Sequence, residues 1–194
     1  MADITQLILA DHEWFREKFA ALDELQGQDP VEAEALLSVW TPLAERLDVH
    51  AVAEEKIFYP QLLRKGESPE DETLDAIHDH NDIRDAVAEA NRLEVGSTGW
   101  WRAVGQARVA NDEHMAEEER EGLADFRQNA ASGLRESLGR QFAEFVEQHP
   151  TTRELDTGDK SPEGYVRAVE EEIGVAGQES GRDESLSIGS LKGW

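Results

Sequence analysis

The chain has 194 residues, with 43 acidic against 19 basic side chains and a formal net charge of −24. Such a surface repels phosphate backbones, and with no basic patch to offset it, nucleic-acid binding is not expected. The absence of cysteine removes disulfides, thiolate metal sites and cysteine nucleophiles together.

Between residues 4 and 148 apolar residues recur at spacings of three and four, the period of amphipathic helices. A first helix is expected from about Ile4 to Leu25, capped by Asp3 and stopped by GQDP at 27–30. The second runs from about Val31 to Lys65, with Pro42 inside it as either a kink or a late start, and ends at Gly66. The third runs from about Pro69 to Glu94 and closes at VGSTG, and the fourth continues from Ser97 or Thr98 to about Asn129. A fifth, Ser132 to Gln148, carries Leu134, Leu138, Phe142 and Phe145 on one face and ends at His149-Pro150.

Beyond Pro150 the chain is rich in Gly, Ser, Asp and Glu and cannot build a core of its own. PEGYVRAVEEEIG at 162–174 is a short helical candidate whose Tyr165, Val166, Val169 and Ile173 offer a docking face, and SLSIGSLKGW adds a few apolar anchors. The expectation is an all-α protein: an up-down-up-down four-helix bundle with an accessory fifth helix and a polar C-terminal tail. The division is residues 1–149 as bundle and 150–194 as tail. No basic leader opens the chain and no apolar run spans a bilayer, so a cytoplasmic protein without membrane contact is expected.

The inward stripes carry the chemistry. The first helix gives Ile8, His12, Phe15, Phe19 and Leu22; the second gives Leu36, Trp40, Leu43, Leu47, His50, Glu54, Ile57 and Gln61. The third gives Ala76, His80, Ile83, Val87 and Ala90; the fourth gives Trp100, Val104, Ala107, Asn111, His114 and Glu118. Each of these four helices therefore turns one histidine inward, and two add a carboxylate one turn later. An ionised carboxylate inside a bundle costs several kcal/mol even after relaxation, and an unpaired imidazole nitrogen roughly 1–3 kcal/mol. Total stability is only about 5–15 kcal/mol, so a compensating partner is required. Metal ions supply one, because imidazole lone pairs and carboxylate charge bind them. His12, His50, His80 and His114 are then terminal ligands, with Glu54 and Glu118 bridging two ions. No catalytic side chain is assigned.

Competing assignments are also legible. His50 and Glu54 form an i, i+4 pair that could satisfy itself, and Arg84 could neutralise a buried glutamate without metal. His12 lies about 15 residues before its loop and His50 about 20 after it, an offset near 7 Å at ~1.5 Å per residue. His78 is about 200° from His80 round the helix and faces elsewhere. His149 is read as structural, and Glu55, Glu117 and Glu119 as a solvated flank. Tyr59, Phe15 and Phe58 are read as packing that could also restrict access to the site.

LADHEWF around His12, HAVAEEKIFYP at 50–60, HDHNDIR around His80 and HMAEEE at 114–119 together resemble the hemerythrin-like, or HHE cation-binding, family. The resemblance covers roughly residues 4–130. It implies a bundle holding a non-haem di-iron centre that binds or reduces dioxygen, nitric oxide or a peroxide in a redox or stress-response role. An iron- or oxygen-sensing module without turnover is the alternative. Ligand type alone leaves zinc, manganese or copper open. The oxygen-carrying members use two histidines one turn apart on the third helix; here Ala76 and Arg84 flank His80, which argues against simple oxygen carriage. The fourth helix reads EEREGLADF and lacks the aromatic-plus-proline ending of the second. In the sensing alternative the tail would contact a partner, whose identity the sequence leaves open.

Overall fold

The computed structural model describes residues 3–28 and 32–187, with side chains described to residue 174. Eight α-helices are present among these residues: α1 (Ile4–Gln26), α2 (Ala33–Ala53), α3 (Tyr59–Lys65), α4 (Pro69–Arg92), α5 (Thr98–Arg120), α6 (Gly122–Asn129), α7 (Ser132–Gln148) and α8 (Pro162–Ser187). A π-helical turn, Glu54–Phe58, joins α2 to α3. The helix start expected at Val31 and the terminal anchors from 188 on lie outside the described residues, as does part of GQDP.

The helix ends follow the local chemistry. Asp3 caps α1 in a reciprocal capping box with Gln6, its carboxylate accepting from the Gln6 N–H. Ser97 Oγ accepts from Trp100 N–H at 3.1 Å and starts α5. Gly96, at φ +80°, occupies the left-handed region that the tight turn between α4 and α5 requires. That short connection folds α5 back along α4 and levels His80 with His114. Pro42 sits inside α2, which continues through it.

Four rods enclose the interior: α1, the run α2–π–α3, α4, and α5 with α6. All four predicted stripes are buried as far as the predicted ligands. Beyond Glu54 the second stripe departs from expectation: Phe58 and Leu62 are buried, whereas Ile57 and Gln61 are only half-buried. The π turn supplies the reason, since its wider turn holds one extra residue and advances the core register by one position. The fourth rod also breaks, at Glu121 (φ −112°, ψ −79°), just beyond Glu118. Both interruptions follow an inward carboxylate.

Two apolar layers result. One contains Phe15, Phe19, Trp40, Trp100 and Met115; the other contains Ile4, Ile8, Phe58, Phe126 and Phe142. Because His12 lies between Ile8 and Phe15 on one helix, the polar residues form a slab between the layers. Outside the four rods, α7 packs on α1 and α2, and α8 packs on α4 and α3. The tail therefore forms a helix longer than the expected 162–174, with Val166 and Val169 buried on the bundle.

The turn after α3 yields a stability prediction. Gly66 has an ordinary negative φ, but a Cβ there would lie 2.5 Å from Asp125 Oδ2 and 3.0 Å from both Leu62 O and Pro69 Cβ. Asp125 Oδ2 accepts the Glu67 N–H at 2.8 Å, so it cannot retreat without losing that bond. Gly66→Ala is expected to destabilise the fold by about 1–3 kcal/mol through overpacking. Denaturant unfolding measures this, and an unchanged midpoint would refute it.

Candidate metal centre

The slab between the two apolar layers holds His12, His50, Glu54, His80, His114 and Glu118, each no more than 6 % exposed. The expected height mismatch is smaller than the sequence suggests. Fourteen residues separate His12 from Gln26 and seventeen separate Ala33 from His50, leaving three, or roughly 4–5 Å. The His12 and His50 ring centroids lie 5.4 Å apart, and those of His80 and His114 4.6 Å.

Glu54 stands at the centre. Its Oε1 lies 2.9 Å from His50 Nε2, and its Oε2 lies 3.3 Å from His80 Nε2 and 3.9 Å from His114 Nε2. Two groups can each hold an ion: His12, His50 and Glu54 on one side, and Glu54, His80 and His114 on the other. Glu54 belongs to both. Glu118 approaches from the His12 side, with Oε2 at 3.3 Å from His12 Nε2. Its Oε1 accepts from the Tyr59 hydroxyl at 3.0 Å, so Tyr59 bonds within the slab and does more than pack.

The outward ring nitrogens are equally ordered. His12 Nδ1 meets Glu119 at 3.0 Å, His50 Nδ1 meets Asp11 at 3.0 Å, and His80 Nδ1 meets Glu55 at 3.0 Å. His114 Nδ1 faces Asp79 at 3.6 Å, an ion-pair separation too long for a direct hydrogen bond. Ionised carboxylates only accept, so each hydrogen-bonded Nδ1 carries a proton. The neutral tautomer then directs its Nε2 lone pair inward, the outer-shell arrangement that orients metal-binding histidines. Sequence reading placed Glu55 and Glu119 on a solvated flank and passed over Asp11 and Asp79. Glu55 is in fact buried; Asp11, Glu55 and Glu119 hydrogen-bond histidines, and Asp79 faces His114 at ion-pair distance. The available signal was repetition: Asp-His occurs at 11–12 and 79–80, and His-x-x-x-Glu-Glu at 50–55 and 114–119.

Cations occupy the periphery and leave the centre alone. Arg46 pairs with Asp11 at 2.7 Å, Arg16 with Glu119 at 2.7 Å, and Arg84 with Glu55 at 2.6 Å. Arg84 thus neutralises a buried glutamate, as the metal-free assignment allowed, but it is Glu55. Among the described residues no Lys or Arg nitrogen lies within 4 Å of Glu54 or Glu118, whose ion-pair partners are all histidines. His12 Nε2, His50 Nε2, Glu54 Oε1 and Glu118 Oε2 are buried without a hydrogen-bond partner.

The protonation equilibria reflect this. Burial opposes charge on His50, but the Glu54 charge and the Asp11 hydrogen bond outweigh it and raise its pKa to about 10. His12 and His80 are raised in the same way. Burial pushes the Glu55 carboxyl up, and the His80 hydrogen bond with the His80 and Arg84 charges brings it down to about 2. Burial with the neighbouring Glu118 and Glu54 charges drives the Tyr59 phenol well above its ordinary range. Without an ion, protons take the place of positive charge; two dications fit the same donors.

His78 is exposed and apart from the centre. His149 accepts a structural role, its Nδ1 2.8 Å from Phe145 O and its ring stacked on Phe145.

A family model settles the relationship: that of the hemerythrin HHE cation-binding domain matches residues 3–125. The chain belongs to this family. Its paired histidine–glutamate triads match the hemerythrin di-iron coordination pattern. Neither the curated proteins nor the solved structures gave a match. The hemerythrin match ends before α7 and α8, so both helices lie outside it. No helix among the described residues is long and apolar enough to cross a membrane.

Proposed function

We propose that this hemerythrin-family protein holds two iron ions and uses them to bind or reduce a small ligand: dioxygen, nitric oxide or a peroxide. His12 and His50 serve one ion, His80 and His114 the other, with Glu54 and Glu118 as bridging ligands. The observation that carries this reading is Glu54, one buried carboxylate divided between two histidine pairs with no Lys or Arg among the described residues to balance it. Bound iron would supply one-electron redox changes and an open coordination position for the ligand.

The chain's own residues set the limits of that chemistry. Asp11, Glu55 and Glu119 fix the imidazole orientation. Tyr59 keeps its phenolic proton and donates it to Glu118 beside a cavity of about 20 Å³, also lined by Leu62, Ala76 and His114. Tyr59, Glu118 and His114 thus share one cavity, which places the phenol proton beside the donors of the centre. Residues 1–149 are proposed as the unit carrying the centre, with 150–194 as its appendage.

Hydrogen peroxide consumption by iron-loaded protein distinguishes the two functional readings. Turnover above that of metal-free protein and of free iron is expected. No excess turnover, together with azide-sensitive near-ultraviolet bands, would leave the sensing alternative in its place.

A further inference from the structure

Among its described residues, the C-terminal segment reaches the carboxylate on His80 and not the one on His12. Lys160 Nζ lies 2.8 Å from Glu55 Oε2, while Glu55 Oε1 receives His80 Nδ1 and Arg84 Nη2. Tyr165 donates its hydroxyl proton to the main-chain carbonyl of Glu55, inside the π turn. The Lys160 backbone is held from both sides: Asn81 Nδ2 donates to Lys160 O at 2.8 Å, and Lys160 N donates to Asn81 Oδ1 at 3.0 Å. Asn81 directly follows His80 in the chain. With Val166 and Val169 buried below it, the lysine ammonium is aimed rather than free to wander.

Among the described residues the equivalent carboxylate in the other half has no such visitor. Glu119 holds His12 with Arg16 as its only Lys or Arg partner among the described residues, and its side chain is 30 % exposed against 2 % for Glu55. Each position has two outer cations, Arg16 and Arg46 on Glu119 and Asp11 in one half and Arg84 and Lys160 in the other, but among the described residues only Glu55 gathers both on a single carboxylate. A carboxylate shared between two cations pulls less on the Nδ1 proton of its histidine, and that imidazole donates less electron density through Nε2.

We infer that Lys160, placed by Asn81 and Tyr165, is a positioning and tuning residue that, through Glu55 and His80, makes the ion at His80 and His114 easier to reduce than it would be without the lysine. This rests on the two-iron reading above. Ferric ligation by a weaker donor, beside an extra positive charge, favours the ferrous state.

Redox titration of the full-length iron-loaded protein, one electron per iron, tests it. Wild type is expected to reduce in two separated steps. Lys160→Met should lower the midpoint of one of the two steps, and Lys160→Arg should restore it. Tyr165→Phe, which keeps the ring, should give part of the same shift by loosening the lysine's placement. Thermal melts of the metal-free variants check folding independently. Two bound irons with potentials and charge-transfer spectra unchanged in both Lys160→Met and Tyr165→Phe would overturn the inference alone. Wild-type protein that takes up no iron would overturn the underlying reading.

Discussion

Glu54→Ala is expected to strip both ions from the protein, whereas His12→Ala or His114→Ala is expected to weaken one position first. The asymmetry follows from geometry: each histidine serves one triad, while the two oxygens of Glu54 face opposite histidine pairs. Metal at 100-fold its Kd stabilises a native state by about 2.7 kcal/mol. Loss of both ions should therefore cost iron-loaded protein at least that much, and an added chelator should bring wild type down to a similar level. Metal quantification after desalting, with parallel melts, reads both effects. One ion retained per Glu54→Ala chain would show that the carboxylate is not shared.

Metal uptake should strengthen steeply as pH rises, while the metal-free protein weakens. In the metal-free state the His50 pKa stands at about 10, against 6.5 for the ordinary imidazole. A raised folded-state pKa stabilises the fold fully below the unfolded value. That contribution fades as pH climbs from 6.5 through 10. Binding an ion requires the same proton to leave, so apparent affinity should rise about tenfold per pH unit for each proton displaced. Thermal midpoints measured between neutral and alkaline pH, with and without metal, should therefore diverge. Parallel curves would mean that the ions do not compete with the His50 proton.

The hydrophobic periodicity displayed most of this centre in the sequence. A histidine at a core register cannot be hidden by its neighbours, and Ile8, Phe15 and Phe19 mark the inward face of α1 for His12 without ambiguity. The outer carboxylates were hidden for a related reason. Glu55 follows Glu54 by one residue, about 100° round an ordinary helix, and reads as flank. It is buried because the π turn rotates the chain locally and Arg84 and Lys160 come to meet it. No single-helix pattern encodes that. The same turn moved the core from Ile57 and Gln61 to Phe58 and Leu62, a tertiary choice with no local signal.

The tail shows the opposite division. Its composition announced that it could form no core, and its apolar face at Val166 and Val169 announced docking. Its function at the centre depends on Lys160, which lies in the polar loop TGDKSPEG and follows no periodicity. Its target could be found only once Asn81 and Glu55 were in place around it.

Anomalous diffraction at the iron absorption edge, from crystals of iron-loaded protein, locates the ions directly. Two peaks are expected about 3.5–4 Å apart, one against the Nε2 atoms of His12 and His50, the other against those of His80 and His114, with Glu54 touching both. A single peak, or iron bound only to the outer carboxylates while the inner imidazoles stay bare, would contradict a shared two-ion centre.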